Sequence, residues 1–174
     1  MVSEVNNIDL DKVRRTAERA QENGGHFPVE KTIEGTFNLR GGSPMFTATL
    51  QSDYSSFTYS ADEPSALGGR GGVHTTPPLS YLLFGVMSCY ASTLAIQCAL
   101  RGLKLGELRV TGKLFYDLAP PVVSGEEAPI IKRLELHVHA DRELGDLIEI
   151  SRGGRCPAVY AISHPPIETV IRQD

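Results

Sequence analysis

The chemistry available to this chain lies first in three cysteines, Cys89, Cys98 and Cys156, because a thiolate is both a nucleophile and a redox centre. Cys156 stands immediately before Pro157, and a proline favours the first position of a helix, which makes Cys156 its predicted cap. There the helix dipole and the unpaired N–H groups favour a thiolate. Cys89 lies in the middle of a long uncharged stretch without that help. Apolar surroundings raise a thiol pKa, so Cys89 is expected to be inert unless a cation approaches it. Cys98 follows nine positions later, roughly 14 Å along a helix axis. That is too far to bond with Cys89, and Cys98 is expected to fill core. Free cysteine is also a common packing residue, so spacing alone leaves Cys89 and Cys156 open between a reactive pair and two space-filling side chains.

The remaining polar candidates are weaker. His137 and His139 share one face of a predicted strand, a spacing that suits a metal, but no Cys-x-x-Cys or His-Glu-x-x-His partner accompanies them, and a polar sheet face is the simpler reading. His74 and His164 fall in predicted loops. The segment Gly68-Gly69-Arg70-Gly71-Gly72 is no phosphate loop, since no Lys-Ser/Thr follows it. Ser88 sits inside a predicted helix and not on a Gly-x-Ser-x-Gly elbow. No cofactor or metal is expected.

Around these residues the hydrophobic period defines the elements. Leu10, Val13, Ala17 and Ala20 recur at helical spacing over residues 9–23, with Asp9 as N-cap and Gly24-Gly25 as stop; the stripe is narrow, so this helix should pack lightly. From Lys31 to Ala61 the period becomes two, which predicts a meander of about three strands, broken at Arg40-Gly41-Gly42-Ser43 and turning again near Ser52-Asp53-Tyr54. Residues 62–78 form a Gly- and Pro-rich surface loop expected to border a site. Leu79–Leu100 then carries no charge over 22 positions. Length alone would permit a membrane span, but Ser80, Ser88, Ser92, Thr93 and Gln97 favour a helix buried on all sides. Covering such a helix needs more wall than one chain of this size supplies, which favours a second subunit.

Strand periodicity returns in LRVTGKLFYDL, with Leu108, Val110, Leu114 and Tyr116 inward, and in IIKRLELHVHA, with Leu134, Leu136 and Val138 inward; APPVVSGEEAP between them is a long turn. Residues 141–152 read as a helix ended by Gly153-Gly154, Cys156-Pro157 opens another, and IETVIR closes as a strand. Strands, a long helix, strands and short helices in this order form an α+β pattern, a bent antiparallel sheet packed on a central helix.

With 41% apolar and 22% charged residues the 174-residue chain suits a single domain, 1–174, whose first 30 residues form an N-terminal helical extension. A net charge of −4 gives no general pull toward nucleic acid or anionic membrane. Three cysteines make no secreted disulfide framework, and the acidic-polar N-terminus has no apolar leader core. A cytoplasmic protein with reduced thiols is expected.

PPLSYLLFGVMSCYASTLAIQCALRGL, followed downstream by a helix and RCPAVYAI, resembles the OsmC/Ohr family of thiol-dependent peroxidases. In that family a proline opens a long hydrophobic helix bearing the reactive cysteine, and a second cysteine lies in a Cys-Pro motif near the C-terminus. The similarity runs from about Lys31 to the end. It implies an intertwined homodimer with two active sites at the interface, an organic hydroperoxide as substrate and a dithiol as reductant. Cys89 then matches the peroxidatic cysteine and Cys156 the resolving one. The activating arginine matches Arg40 in LRGGS, with Arg70 as second candidate; a guanidinium beside Cys89 would favour the thiolate and hydrogen-bond the peroxide oxygens. One position departs from the pattern. Leu79 stands where the family carries the glutamate that holds this arginine, with Glu63 as a possible substitute, which marks a divergent OsmC-like member. The alternative is a non-enzymatic OsmC-like dimer that binds an apolar small molecule at its interface pocket, and a single-span membrane protein is a further rival.

Overall fold

The computed structural model describes residues 4–52, 54–70, 75–123, 130–164 and 168–173. Two compact units are present. The first comprises Met1–Phe27, Gly85–Gly112 and Leu136–Asp174, and the second Pro28–Phe84 and Lys113–Glu135.

The first unit opens with a hairpin that the periodicity reading missed. Asn6 and Asn7 both adopt left-handed backbone (φ 56° and 61°), so Glu4–Val5 (β1) turns directly into Ile8–Asp9 (β2). Asparagine tolerates that conformation, and Asn-Asn between Val5 and Ile8 was the available signal. Helix α1 (Leu10–Glu22) follows, capped by the Asp9 carboxylate, which accepts the N–H groups of Asp11 and Lys12 at 3.0 and 3.1 Å. Only Leu10 of α1 is buried, so the helix packs as lightly as its narrow stripe implies. Val5 and Leu10 cover Ala99, and Asn6 fixes the chain beyond it, donating to the Leu103 carbonyl at 2.9 Å and accepting the Leu105 N–H at 2.8 Å.

The second unit contains the expected meander. Glu34–Phe37 (β3), Phe46–Gln51 (β4) and Ser56–Ala61 (β5) pair antiparallel, with Phe37 opposite Phe46 and Gln51 opposite Ser56. The Arg40–Ser43 break forms the connection between β3 and β4, and a Cβ at Gly35 would run into the Phe46 ring. The following loop holds a short 3-10 turn at Ser65–Leu67, while its Gly71–His74 portion lies outside the described residues. Asp62 is buried in this unit: one carboxylate oxygen accepts the Ser43 hydroxyl at 2.7 Å, and the other has no partner among the described residues.

Helix α2 (Pro78–Leu100) begins in the second unit and ends in the first. It stops in a Schellman turn, with Gly102 at φ 70° and the Leu103 N–H on the Cys98 carbonyl at 2.9 Å. The helix was expected to be buried on all sides; the chain buries one stripe, Val86, Tyr90, Thr93, Leu94, Cys98 and Ala99, and leaves Phe84 68% exposed. A chain of this size has apolar cover for only part of a 23-residue helix.

Leu108–Tyr116 (β6) and Ile131–Ala140 (β7) pair with each other. Their antiparallel sense follows from the flanking bonds, Asp141 N–H to the Glu107 carbonyl at one end and Asp117 N–H to the Ile130 carbonyl at the other. Leu108, Val110, Leu114, Leu134, Leu136 and Val138 are half-buried as the alternation requires. Tyr116, expected inward, is exposed: the alternation stops at the strand end, where Phe115 is also exposed and lies under the Arg133 guanidinium, 4.3 Å from its ring centre. Residues 124–129 of the predicted long turn lie outside the described residues.

Two further expectations are corrected. The helix predicted over 141–152 is reduced to Leu147–Ile150 (α3), followed by a wide π-type turn at Ser151–Arg155. Gly145 adopts φ 53°, and the Asp141 carboxylate is committed to the Gly106 and Glu107 N–H groups at 3.0 and 3.3 Å, so helix cannot start there. Helix α4 (Pro157–Ser163) begins where Cys156-Pro157 placed it. Glu168–Gln173 is not a strand; Ile171 is 91% exposed, and alternation alone makes no ladder without an edge to join.

Candidate active site

Cys89 and Cys156, 67 positions apart, meet in the first unit with their sulfurs 3.5 Å apart. The distance is a contact between two free thiols, not a bond. Cys156 is the N-cap of α4. Its extended backbone (φ −96°, ψ 111°) precedes Pro157 at the first helical position, and its Sγ accepts the Val159 N–H at 3.5 Å. A cap usually uses an oxygen; here sulfur takes that place. Cys156 is fully buried and Cys89 only partly so.

Burial pushes the Cys89 thiol above its ordinary range, the Ala158 N–H opposes that rise, and the neighbouring Cys156 thiol adds to it. Thus the first turn of α4 serves both sulfurs, with Val159 N–H on Cys156 and Ala158 N–H acting on Cys89. Sequence reasoning anticipated the raised Cys89 thiol and the Cys156 cap. It missed Ala158, although the Cys-Pro-Ala-Val order placed that free N–H at a helix start.

Two further residues secure the pair. Tyr90, adjacent to Cys89 but buried, donates its hydroxyl to the Ile148 carbonyl at 3.0 Å, which ties α2 to the segment leading to Cys156. Burial, together with the nearby Glu149 and Cys156, raises the Tyr90 pKa, so it remains a donor at neutral pH. Thr93 donates to the Cys89 carbonyl at 2.9 Å.

The other expected residues lie elsewhere. Arg40 belongs to the second unit, with its side chain exposed and its backbone N–H on Asn38 Oδ1 at 3.0 Å. Arg70 is also exposed there, and Glu63 and Leu79 are half-buried in the same unit. Cys98 is fully buried; burial raises its thiol and Arg101 partly offsets this. His137 and His139 are exposed on β7, with His139 3.6 Å from Glu107, and no metal-holding group of His, Cys, Asp or Glu occurs among the described residues. Ser88 is exposed and donates to the Gly85 carbonyl. His164 stacks on Tyr160 at the end of α4, and His74 lies outside the described residues.

No family model matches the chain, and no curated protein matches it. Solved structures do. An OsmC-like protein from Mycoplasma pneumoniae superposes with a TM-score of 0.56 at 17% identity, covering 78% of this chain and 89% of its own. The organic hydroperoxide resistance protein OsmC of Legionella pneumophila gives 0.57 at 17% identity, over 79% and 92%. An organic hydroperoxide resistance protein of Elizabethkingia anophelis gives 0.53 at 24% identity, over 79% and 91%. The chain therefore has an OsmC-like α+β fold. Helix α2 is long and apolar enough to cross a membrane by length and composition.

Proposed function

We propose that this protein is a thiol-dependent peroxidase that reduces organic hydroperoxides through Cys89 and Cys156. The observation that carries the reading is the 3.5 Å approach of the two sulfurs, with the first turn of α4 directing an N–H toward each. The Cys89 thiolate attacks the terminal oxygen of ROOH; an S–O bond forms, the O–O bond breaks, and RO⁻ takes up a proton and leaves as alcohol. The Cys156 thiolate then attacks the Cys89 sulfur of the sulfenic acid. The S–S bond forms as S–O breaks, and the departing hydroxide is protonated to water. An external dithiol returns the two electrons by exchange. Because burial holds the Cys89 thiol up, attack at neutral pH requires a cation, and Arg40 is assigned that role, in a cytoplasmic homodimer.

The second reading is an OsmC-like dimer that binds an apolar small molecule without turnover. It draws on the raised Cys89 thiol and on Leu79, which leaves the first turn of α2 without an acidic residue. Peroxide consumption separates the two. Under a dithiol reductant, Cys89→Ser should abolish turnover of cumene hydroperoxide; without reductant, Cys156→Ser should consume one equivalent and pass on to sulfinic acid with excess peroxide. Arg40→Ala should slow the first step. Wild-type protein that consumes no peroxide and forms no Cys89–Cys156 disulfide sinks the enzyme reading and leaves the binder.

A further inference from the structure

Gly85 has no structural reason within the chain to be glycine. Gly35 faces the Phe46 ring, Gly69 the Glu63 backbone and Gly106 the Asp141 carboxylate, and Gly24, Gly41 and Gly102 require positive φ. Gly85 has none of these. It lies inside α2, its backbone is not in the left-handed region, it is exposed, and a Cβ built on it meets nothing within 4 Å. Apart from proline, glycine is the poorest residue for a helix interior, so its presence there weakens α2 without improving packing.

Its position relative to Cys89 supplies a reason. Gly85 is four residues before Cys89, on the same helix face, and helical side chains lean toward the N-terminus, which carries the Cys89 side chain over the turn of Gly85 and Val86. Val86 is buried and closes one side. Cys156 Sγ at 3.5 Å and the Ala158 N–H occupy another. On the Gly85 side nothing lies within 4 Å of where a Cβ would stand, and α2 has no charged residue along its length. Attack on a peroxide needs the O–O bond in line with the sulfur, so the leaving oxygen and its carbon substituent must project away from Sγ into free space. We propose that Gly85 sets the specificity of the Cys89 site: its missing side chain leaves room for a neutral hydroperoxide with a bulky group beside the O–O bond. The assignment rests on the peroxidase reading above for the identity of the substrate.

The test compares Gly85→Ala and Gly85→Leu with wild type, using hydrogen peroxide and cumene hydroperoxide as substrates, and iodoacetamide and N-phenylmaleimide as small and bulky labels for Cys89 located by mass spectrometry. Gly85→Leu should lower kcat/KM for cumene hydroperoxide by about tenfold more than for hydrogen peroxide, with Gly85→Ala between it and wild type. Labelling by N-phenylmaleimide should fall in the same order while iodoacetamide changes little. Thermal stability of Gly85→Ala should equal or exceed wild type, with unchanged mass by light scattering. Equal losses for small and bulky reagents overturn the proposal. So does destabilisation or a changed oligomeric mass in Gly85→Ala, which would make the glycine a packing residue. The labelling arm needs no turnover, so a protein inactive toward both peroxides refutes the peroxidase reading while the size dependence at Cys89 is still decided.

Discussion

Cys89 and Cys98 stand on one helix, and burial pushes both thiols above the ordinary range, yet only one has the makings of a site. Cys98 is fully enclosed beside Ala99, which Val5 and Leu10 cover. Cys89 is partly open, touches a second sulfur, and has a helix start directed at it. Desolvation alone therefore does not distinguish a reactive thiol from filler. The difference comes from what another segment brings: the Ser151–Arg155 turn and α4 deliver Cys156 and the Ala158 N–H to one cysteine, whereas the N-terminal hairpin closes over the region of the other.

Alkylation of the native protein offers the largest contrast. Iodoacetamide should modify Cys89 about a thousandfold faster than Cys98, because Cys98 reacts only through local opening, which costs about 4 kcal/mol for that factor. Peptide mapping by mass spectrometry reads both rates at once. Without a cation beside it, the raised Cys89 thiol should react about tenfold faster per pH unit beyond neutrality and keep rising above about 8.5, where an ordinary thiol levels off; a rate already level near neutrality is the outcome that the Arg40 assignment requires. Equal labelling of Cys89 and Cys98 at neutral pH would dissolve the contrast.

Much of the fold was legible because it is local. Asp9 caps α1, Pro78 opens α2, Cys156-Pro157 opens α4, and alternation marks β3 to β7. The failures were also local readings applied where a partner decides. The described part of the alternating closing segment, Glu168–Arg172, is no strand, and 141–152 lost most of its helix because Asp141 is held by Gly106 and Glu107. The meeting of Cys89 with Cys156 could not be read from spacing, since it depends on how α3 and its turn fold back. The family resemblance indicated it. Arg40 was picked by that resemblance as well, and no periodicity in the chain specifies where its guanidinium goes.

The Cys98 end can be loosened selectively. Asn6→Gly keeps the left-handed backbone available but removes the amide that bonds the Leu103 carbonyl and the Leu105 N–H. Leaving those groups without their partner should cost about 1–3 kcal/mol and speed Cys98 labelling about tenfold or more, with Cys89 labelling unchanged. If Cys89 accelerates equally, the two ends of α2 open together, and the hairpin does not guard Cys98 in particular.

The smallest expected effect probes the other side of the contrast. Tyr90 is buried, and its hydroxyl bond to the Ile148 carbonyl at 3.0 Å is one direct tie between α2 and the segment that carries Cys156. Tyr90→Phe keeps the ring and its packing but removes the donor, for a net loss of about 1 kcal/mol. If that tie helps hold Cys156 against Cys89, the population with the sulfurs in contact should shrink by up to about fivefold, the factor that such an energy commands. Disulfide formation after one equivalent of peroxide should slow by a similar factor, and sulfinic acid at Cys89 should rise because resolution competes less well with over-oxidation. The slow labelling of Cys98 should not change, since Cys98 does not use the α3 segment. A disulfide that forms at the wild-type rate would show that the cap of α4, through Val159 N–H on Cys156, positions the resolving thiol without help from Tyr90. Slowed oxidation of Cys89 itself would instead place Tyr90 among the groups that act on the attacking sulfur.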